Sequence, residues 1–169
     1  MPKKLIFLDI DGVCNSNKYF SSPGYVEESG GKSDALIMLV NHYLHLDPAA
    51  LKLVNQLVDE SGAEVVVSST WKSKYSEEEF NKMFADRGAT FKVVGRTPHV
   101  QGRFSEHVQR GREIQAYLDS LTEKPESFVI LDDRDDMAQL FKYLVKTNYE
   151  DGLTRHHVNK ALRILNGDT

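Results

Sequence analysis

At 169 residues the chain is long enough to bury a substantial core without staples, and its one cysteine, Cys14, excludes an internal disulfide framework. Lys and Arg total 21 against 25 Asp and Glu, a net charge of -4 with 27% charged residues. That balance argues against a protein that grips a long duplex through a basic face, while leaving room for a local positive pocket. No apolar run approaches the ~20 residues needed to span a bilayer and no secretory segment opens the sequence, so a cytoplasmic protein with a single domain over 1–169 and no membrane partner is expected.

Lys4 to Leu8 is apolar after its leading lysine, the pattern of a strand covered on both faces. Asp9 and Asp11 arrive where that strand should end, with Gly12 behind them. Extended backbone would aim both carboxylates the same way, and two close carboxylates are costly without a cation. A hard divalent ion that takes oxygen ligands, Mg2+ first among them, is therefore expected here, with a turn of solvated acids as the alternative.

Cys14 to about Lys32 is polar and glycine-rich, with Tyr19, Phe20 and Tyr25 among its residues. Too long for a tight turn, it is expected to begin a flap over the strand end, covering 14–46; the alternative is a surface excursion whose aromatics plug one side of the core. Ala35 to Leu46 is apolar enough to pack, as helix or as strand. Asp47-Pro48 has the form of an N-cap and first-turn proline, and Leu51, Val54, Leu57 and Val58 make one buried stripe ending at Gly62. Glu64 to Val67 is a buried strand closing on Ser68-Ser69-Thr70-Trp71. Trp71 and Lys72 are then expected to leave toward solvent, Trp71 stacking on a base or plugging the sheet edge.

Ser76 and Glu79 form a capping-box pattern before a helix with Phe80, Met83 and Phe84 on its apolar face, ending at Gly88. Phe91 to Val94 reads as an outer strand whose exposed apolar patch would suit a dimer, the choice between monomer and homodimer being otherwise open. Gly95 to Arg103 reads as loop, and Arg110 to Leu121 as a helix with Arg110 and Arg112 at its mouth. Phe128 to Leu131 is the third strong strand, running into Asp132-Asp133-Arg134-Asp135-Asp136, where Arg134 meets a substrate phosphate or pairs with Asp135 or Asp136. A short helix over Met137, Leu140 and Phe141, a strand from Tyr143 to Lys146 and a helix capped by Thr154 complete the chain. The histidines at 42, 45, 99, 107, 156 and 157 have no zinc-site spacing, and His156 and His157 are expected to be solvated.

Alternating strands and helices predict a three-layer α/β fold with a mostly parallel five-stranded sheet, whose ligand site lies beyond the carboxyl ends of the strands. Those ends carry Asp9/Asp11, Ser68/Ser69 and Asp132/Asp133 in turn. Carboxylates for a metal, a hydroxyl donor and arginines at a helix start fit phosphoryl transfer.

These segments resemble the haloacid dehalogenase-like (HAD) superfamily of aspartate-based phosphatases: DIDG at Asp9 to Gly12, VVVSS at Val65 to Ser69 and ILDD at Ile130 to Asp133. More narrowly, SSTWK at Ser68 to Lys72, GRTP at Gly95 to Pro98, RGREI at Arg110 to Ile114 and ILDDRDDM at Ile130 to Met137 resemble the small HAD domains of RNA-repair proteins. Asp132 to Arg134 is also similar to the 3'-phosphatase domain of phage polynucleotide kinase. The resemblance implies an α/β/α HAD-like Rossmannoid fold without a large cap. It also implies Mg2+ on Asp9, Asp133 and the Asp11 carbonyl, with Asp132 a ligand or a step behind one. By the same resemblance Asp9 is the nucleophile, Asp11 the acid and then base, and Ser68 the hydroxyl on a phosphoryl oxygen. The superfamily's usual lysine is replaced by Arg110, with Arg112 as the alternative. Gly12, Ser69, Thr70, Trp71, Lys72, Arg112 and Arg134 are candidate substrate contacts. An open pocket suits a 3'-phosphate on a nucleic-acid end, or a nucleotide. A nucleoside monophosphate 5'-phosphatase and a non-catalytic phosphate- or protein-binding domain are the rivals.

Overall fold

The structure is a computed structural model and describes residues 3–102 and 108–168. Five strands, β1 (Lys4–Leu8), β2 (Glu64–Val67), β3 (Val93–Arg96), β4 (Ser127–Asp132) and β5 (Leu144–Lys146), pair in parallel in the order β3-β2-β1-β4-β5. The expected parallel α/β fold is therefore present, and the described residues include no large cap. Leu8 lies level with Val67 on one side and with Leu131 on the other, so the strand tips meet at one height. The chain works outward from β1 to β3 and then returns to β4 on the other side of β1. In open α/β sheets such a reversal marks the ligand crevice.

Strand side chains alternate between two cores, as a pleated sheet covered on both faces requires. Ile6, Leu8, Val65, Val67, Val129 and Leu131 face α4 (Pro48–Ser61), α5 (Glu77–Asp86) and α7 (Arg155–Asn166). Leu5, Phe7, Val66 and Ile130 face α6 (Gln109–Ser120) and a 3-10 turn over Ala138–Tyr143. The predicted caps hold: Asp47 Oδ1 accepts from the Ala49 amide at 2.9 Å, Gly62 ends α4 in the left-handed region at φ 71°, and Ser76 and Glu79 bond reciprocally.

Residues 14–46 hold α1 (Asn17–Phe20), α2 (Pro23–Ser29), α3 (Asp34–Val40) and a 3-10 turn at His42–His45. Tyr19, Tyr25, Ile37 and Leu44 form a small cluster separate from the two sheet cores. Of α3's apolar residues only Ile37 is buried; Leu36, Met38, Leu39 and Val40 are exposed.

Several expectations change. Phe91 is buried against Phe84, ring centroids 5.4 Å apart, and the exposed apolar residue of the outer strand is Val94. That strand starts two residues later than expected and takes in Gly95 and Arg96, since its pairing with β2 begins at Val93. Phe141 is exposed in a 3-10 turn. His157 is half-buried, its Nδ1 accepting from the Thr154 amide at 3.0 Å. Arg103, at the end of the expected loop, and His107 lie outside the described residues. Among the described residues, no helix is long and apolar enough to cross a membrane.

Helix α6 sits close to the chain after β4 because position 111 is glycine: a Cβ there would overlap the Met137 carbonyl. Gly111→Ala is expected to destabilise the fold by about 2 kcal/mol, as overpacking against backbone does, read as a lower urea midpoint at unchanged m-value.

Candidate active site

The backbone ladder continues one residue past the strands. Asp9 N donates to Leu131 O at 3.0 Å and Ser68 N to Leu8 O at 2.9 Å, which fixes both residues at the tips. Asp9, Ser68 and Asp132 are all buried, and Arg110 enters among them from the first turn of α6. Its Nη1 lies 3.1 Å from Asp9 Oδ1 and 2.9 Å from Asp132 Oδ2, and donates to Ser68 O at 2.5 Å. One guanidinium nitrogen thus touches the ends of β1, β2 and β4.

Burial pushes the Asp9 carboxyl up from the ordinary range, against the pull of Arg110. Asp132 is pushed up more strongly, first by burial and then by the charge of Asp9. Burial opposes the charge of Arg110, yet Asp9 and Asp132 together outweigh it and hold the guanidinium cationic. Asp9, Asp132 and Asp133 offer carboxylate oxygens within 4.8 Å of one another, a donor set fit for a hard divalent cation. Asp133 can come this close because position 12 is glycine. Gly12 has φ 82°, and a Cβ there would overlap the Asp133 carboxylate.

The Asp11 carboxylate is not part of that group of three. Strand geometry ends at Leu8 and a turn begins at Asp11. Asp11 Oδ1 accepts from Asn15 Nδ2 and Oδ2 from Trp71 Nε1, each at 3.0 Å. Asn15 Oδ1 also accepts from the Gly12 amide at 2.9 Å, and Thr147 Oγ1 donates to Gly12 O at 2.7 Å. The loop that carries the two acids is thereby pinned from both sides.

Trp71 and Lys72 do not leave toward solvent; both are buried. The Trp71 ring stacks on His42 with centroids 3.7 Å apart, and His42 Nδ1 is 2.7 Å from the Tyr75 hydroxyl. Lys72 Nζ donates to Thr97 Oγ1 at 3.0 Å, to Pro98 O at 3.2 Å and to Glu113 Oε2 at 2.5 Å. All three of its protons have acceptors, and Glu113 lies on α6 one turn beyond Arg110.

Ser69 caps the 3-10 turn Thr70–Ser73, its Oγ accepting from the Trp71 amide at 3.3 Å, while Thr70 is exposed at the start of that turn. Ser68 Oγ is buried and has no hydrogen-bond partner among the described residues. Arg112 lies on the exposed side of α6. Arg134 takes the pairing with Asp136, through Nε at 3.1 Å and Nη2 at 2.6 Å.

Asn15, His42, Glu113 and Thr147 support the site without having been singled out from sequence, whereas Asp136, the expected partner of Arg134, also accepts from the Arg110 amide at 3.2 Å. Asn15 alone carried a local signal, an amide four residues after Asp11 in a glycine-containing turn. His42, Glu113 and Thr147 lie 33, 41 and 135 residues from their hydrogen-bond partners Tyr75, Lys72 and Gly12.

Parallel strands ending in acids around one buried cation are the plan of the HAD superfamily. Residues 5–158 match the family model of the HAD domain in Swiss Army Knife RNA repair proteins, and the chain belongs to that family. No curated protein matches the chain.

Lys72→Met is expected to leave Glu113 buried without its cation and to cost about 3 kcal/mol, measured by chemical unfolding. His42 supplies a pH test. Burial pushes its pKa down to about 4, so it is neutral in the fold and protonates near 6.5 once unfolded. The stability it contributes is complete above pH 6.5 and is lost as pH falls toward 4. His42→Phe should therefore flatten melting temperature against pH in that window, in part only, because burial also pushes His45 and His157 down.

Proposed function

We propose that the chain is a Mg2+-dependent phosphomonoester hydrolase acting through an aspartyl-phosphate, removing a 3'-phosphate from a nucleic-acid end or nucleotide. The observation that carries the proposal is the grouping of Asp9, Asp132 and Asp133 within 4.8 Å at the sheet's switch point. The family's description as RNA-repair domains supports the nucleic-acid end.

In this reading Asp9, Asp133 and the Asp11 carbonyl would hold Mg2+, with Asp132 directly or one step behind, and the ion would supply charge neutralisation on the phosphoryl oxygens. Asp9 attacks phosphorus and the bond to the leaving oxygen breaks; Asp11 gives that oxygen a proton. Asp11 then takes a proton from the incoming water, whose oxygen displaces Asp9 from phosphorus and releases inorganic phosphate. Arg110 offers charge to Asp9 and to the phosphoryl group, in place of the lysine usual in the superfamily. The unpartnered Ser68 hydroxyl is available to a phosphoryl oxygen. The whole chain acts as one phosphatase domain, with 14–46 as a flap beside the pocket, in a cytoplasmic setting.

Phosphate release from a 3'-phosphorylated oligonucleotide, with Mg2+ and with chelator, tests the proposal. Activity should require Mg2+, fall to background in Asp9→Asn and drop about 10²–10⁴-fold in Asp11→Asn. Full turnover by Asp9→Asn would end the nucleophile assignment, and preferential turnover of nucleoside 5'-monophosphates would change the substrate class.

A further inference from the structure

Asp11 borders a cleft of about 270 Å³ that lies apart from the Asp9, Asp132 and Asp133 cluster. Its walls are Met38 of α3, the stacked His42–Trp71 pair, the Thr70 and Ser73 residues of the 3-10 turn, and Lys74. Met38 is 43% exposed, on a helix whose apolar side chains mostly face outward. His42 and Trp71 are buried and held in place, His42 by the Tyr75 hydroxyl and Trp71 by Asp11 itself.

A side chain that protonates a leaving oxygen must border the leaving group. With phosphorus at Asp9 and Asp11 outside the group of three carboxylates, the leaving group belongs in the cleft that Asp11 lines. The composition of the cleft says what that group is. The exposed Met38 thioether suits a planar, largely apolar body, the buried His42–Trp71 stack gives it a fixed backing, and two hydroxyl side chains suit a sugar edge; a polyol would need polar partners all around it. Lys74 adds one exposed cation, and among the described residues no carboxylate forms an ion pair with it; its Nζ lies 5.9 Å from the Tyr75 ring. A nucleoside fits the walls, and a second anion joined to it fits the lysine.

Resting on the phosphatase reading above, we propose that this cleft seats the terminal nucleoside of a single-stranded nucleic acid and that Lys74 pairs with the phosphate on its 5' side. The phosphate at a chain end is thereby preferred over that of a mononucleotide, which lacks the second anion. Lys74 is in this assignment a specificity residue that touches substrate away from the reacting atoms.

The test compares kcat/KM of the full chain for a 3'-phosphorylated single-stranded oligonucleotide and for a mononucleoside 3'-phosphate, before and after Lys74→Met. The oligonucleotide-to-mononucleotide ratio should fall about tenfold, the loss expected of one charge-assisted contact. In parallel, binding of the same oligonucleotide to the Asp9→Asn chain is followed by fluorescence anisotropy across salt concentrations. Removing Lys74 should reduce the slope of log affinity against log salt by about 0.7, one phosphate contact to a single strand. An unchanged ratio with an unchanged slope overturns the assignment while leaving the phosphatase reading intact. If the chain hydrolyses no phosphomonoester and the slope still falls, the phosphatase reading fails and the cleft assignment survives in binding.

Discussion

Everything at the sheet's carboxyl edge depends on one buried guanidinium. Arg110 is charged, almost fully enclosed, and held at once by Asp9, Asp132 and the Ser68 carbonyl. An enclosed cation is tolerable only when its partners are in place, so the ends of β1, β2 and β4 cannot drift apart without leaving that charge unpaired. Two contacts away from the acids keep the arginine there. Gly111 lets α6 lie against the chain after β4, and the Lys72–Glu113 pair ties α6 to the turn that follows β2.

The same enclosure separates the acids into two environments. Asp9 and Asp132 are buried beside Arg110, whereas Asp11 sits at the rim, held by an indole N–H and an amide. Carboxylates two residues apart thus meet different surroundings, which is how one short loop can present groups of unlike reactivity. The division follows from backbone: β geometry ends before Asp9, and the positive φ of Gly12 turns the chain under Asp133.

Much of this was readable in the residues. The apolar runs of β1, β2 and β4, each passing into acids or hydroxyls, located the strand tips and the crevice, and the caps at Asp47 and Ser76 located two helices. The bonding of Asp11 to Asn15 and Trp71 was not readable, because alternation along a strand stops applying once the strand has ended. Trp71 takes the buried one of its two expected places, while the burial of Lys72 was not readable: its partner Glu113 is 41 residues away, and no local pattern encodes such a pairing. The stretch from Ala35 to Leu46 was ambiguous for another reason. Its apolar residues follow no single period, and the helix they form leaves most of them outside.

The small aromatic cluster of Tyr19, Tyr25, Ile37 and Leu44 shares no member with the cores on either side of the sheet. A prominent link to the rest is Arg87, which reaches Tyr19, Glu28 and the Leu46 carbonyl from the end of α5. The piece that borders the crevice thus packs around its own small cluster, tied to the sheet core by the His42–Trp71 stack. Mutation can rework its outer residues over evolutionary time, altering what docks beside the acids, while the foundations of the sheet stay untouched.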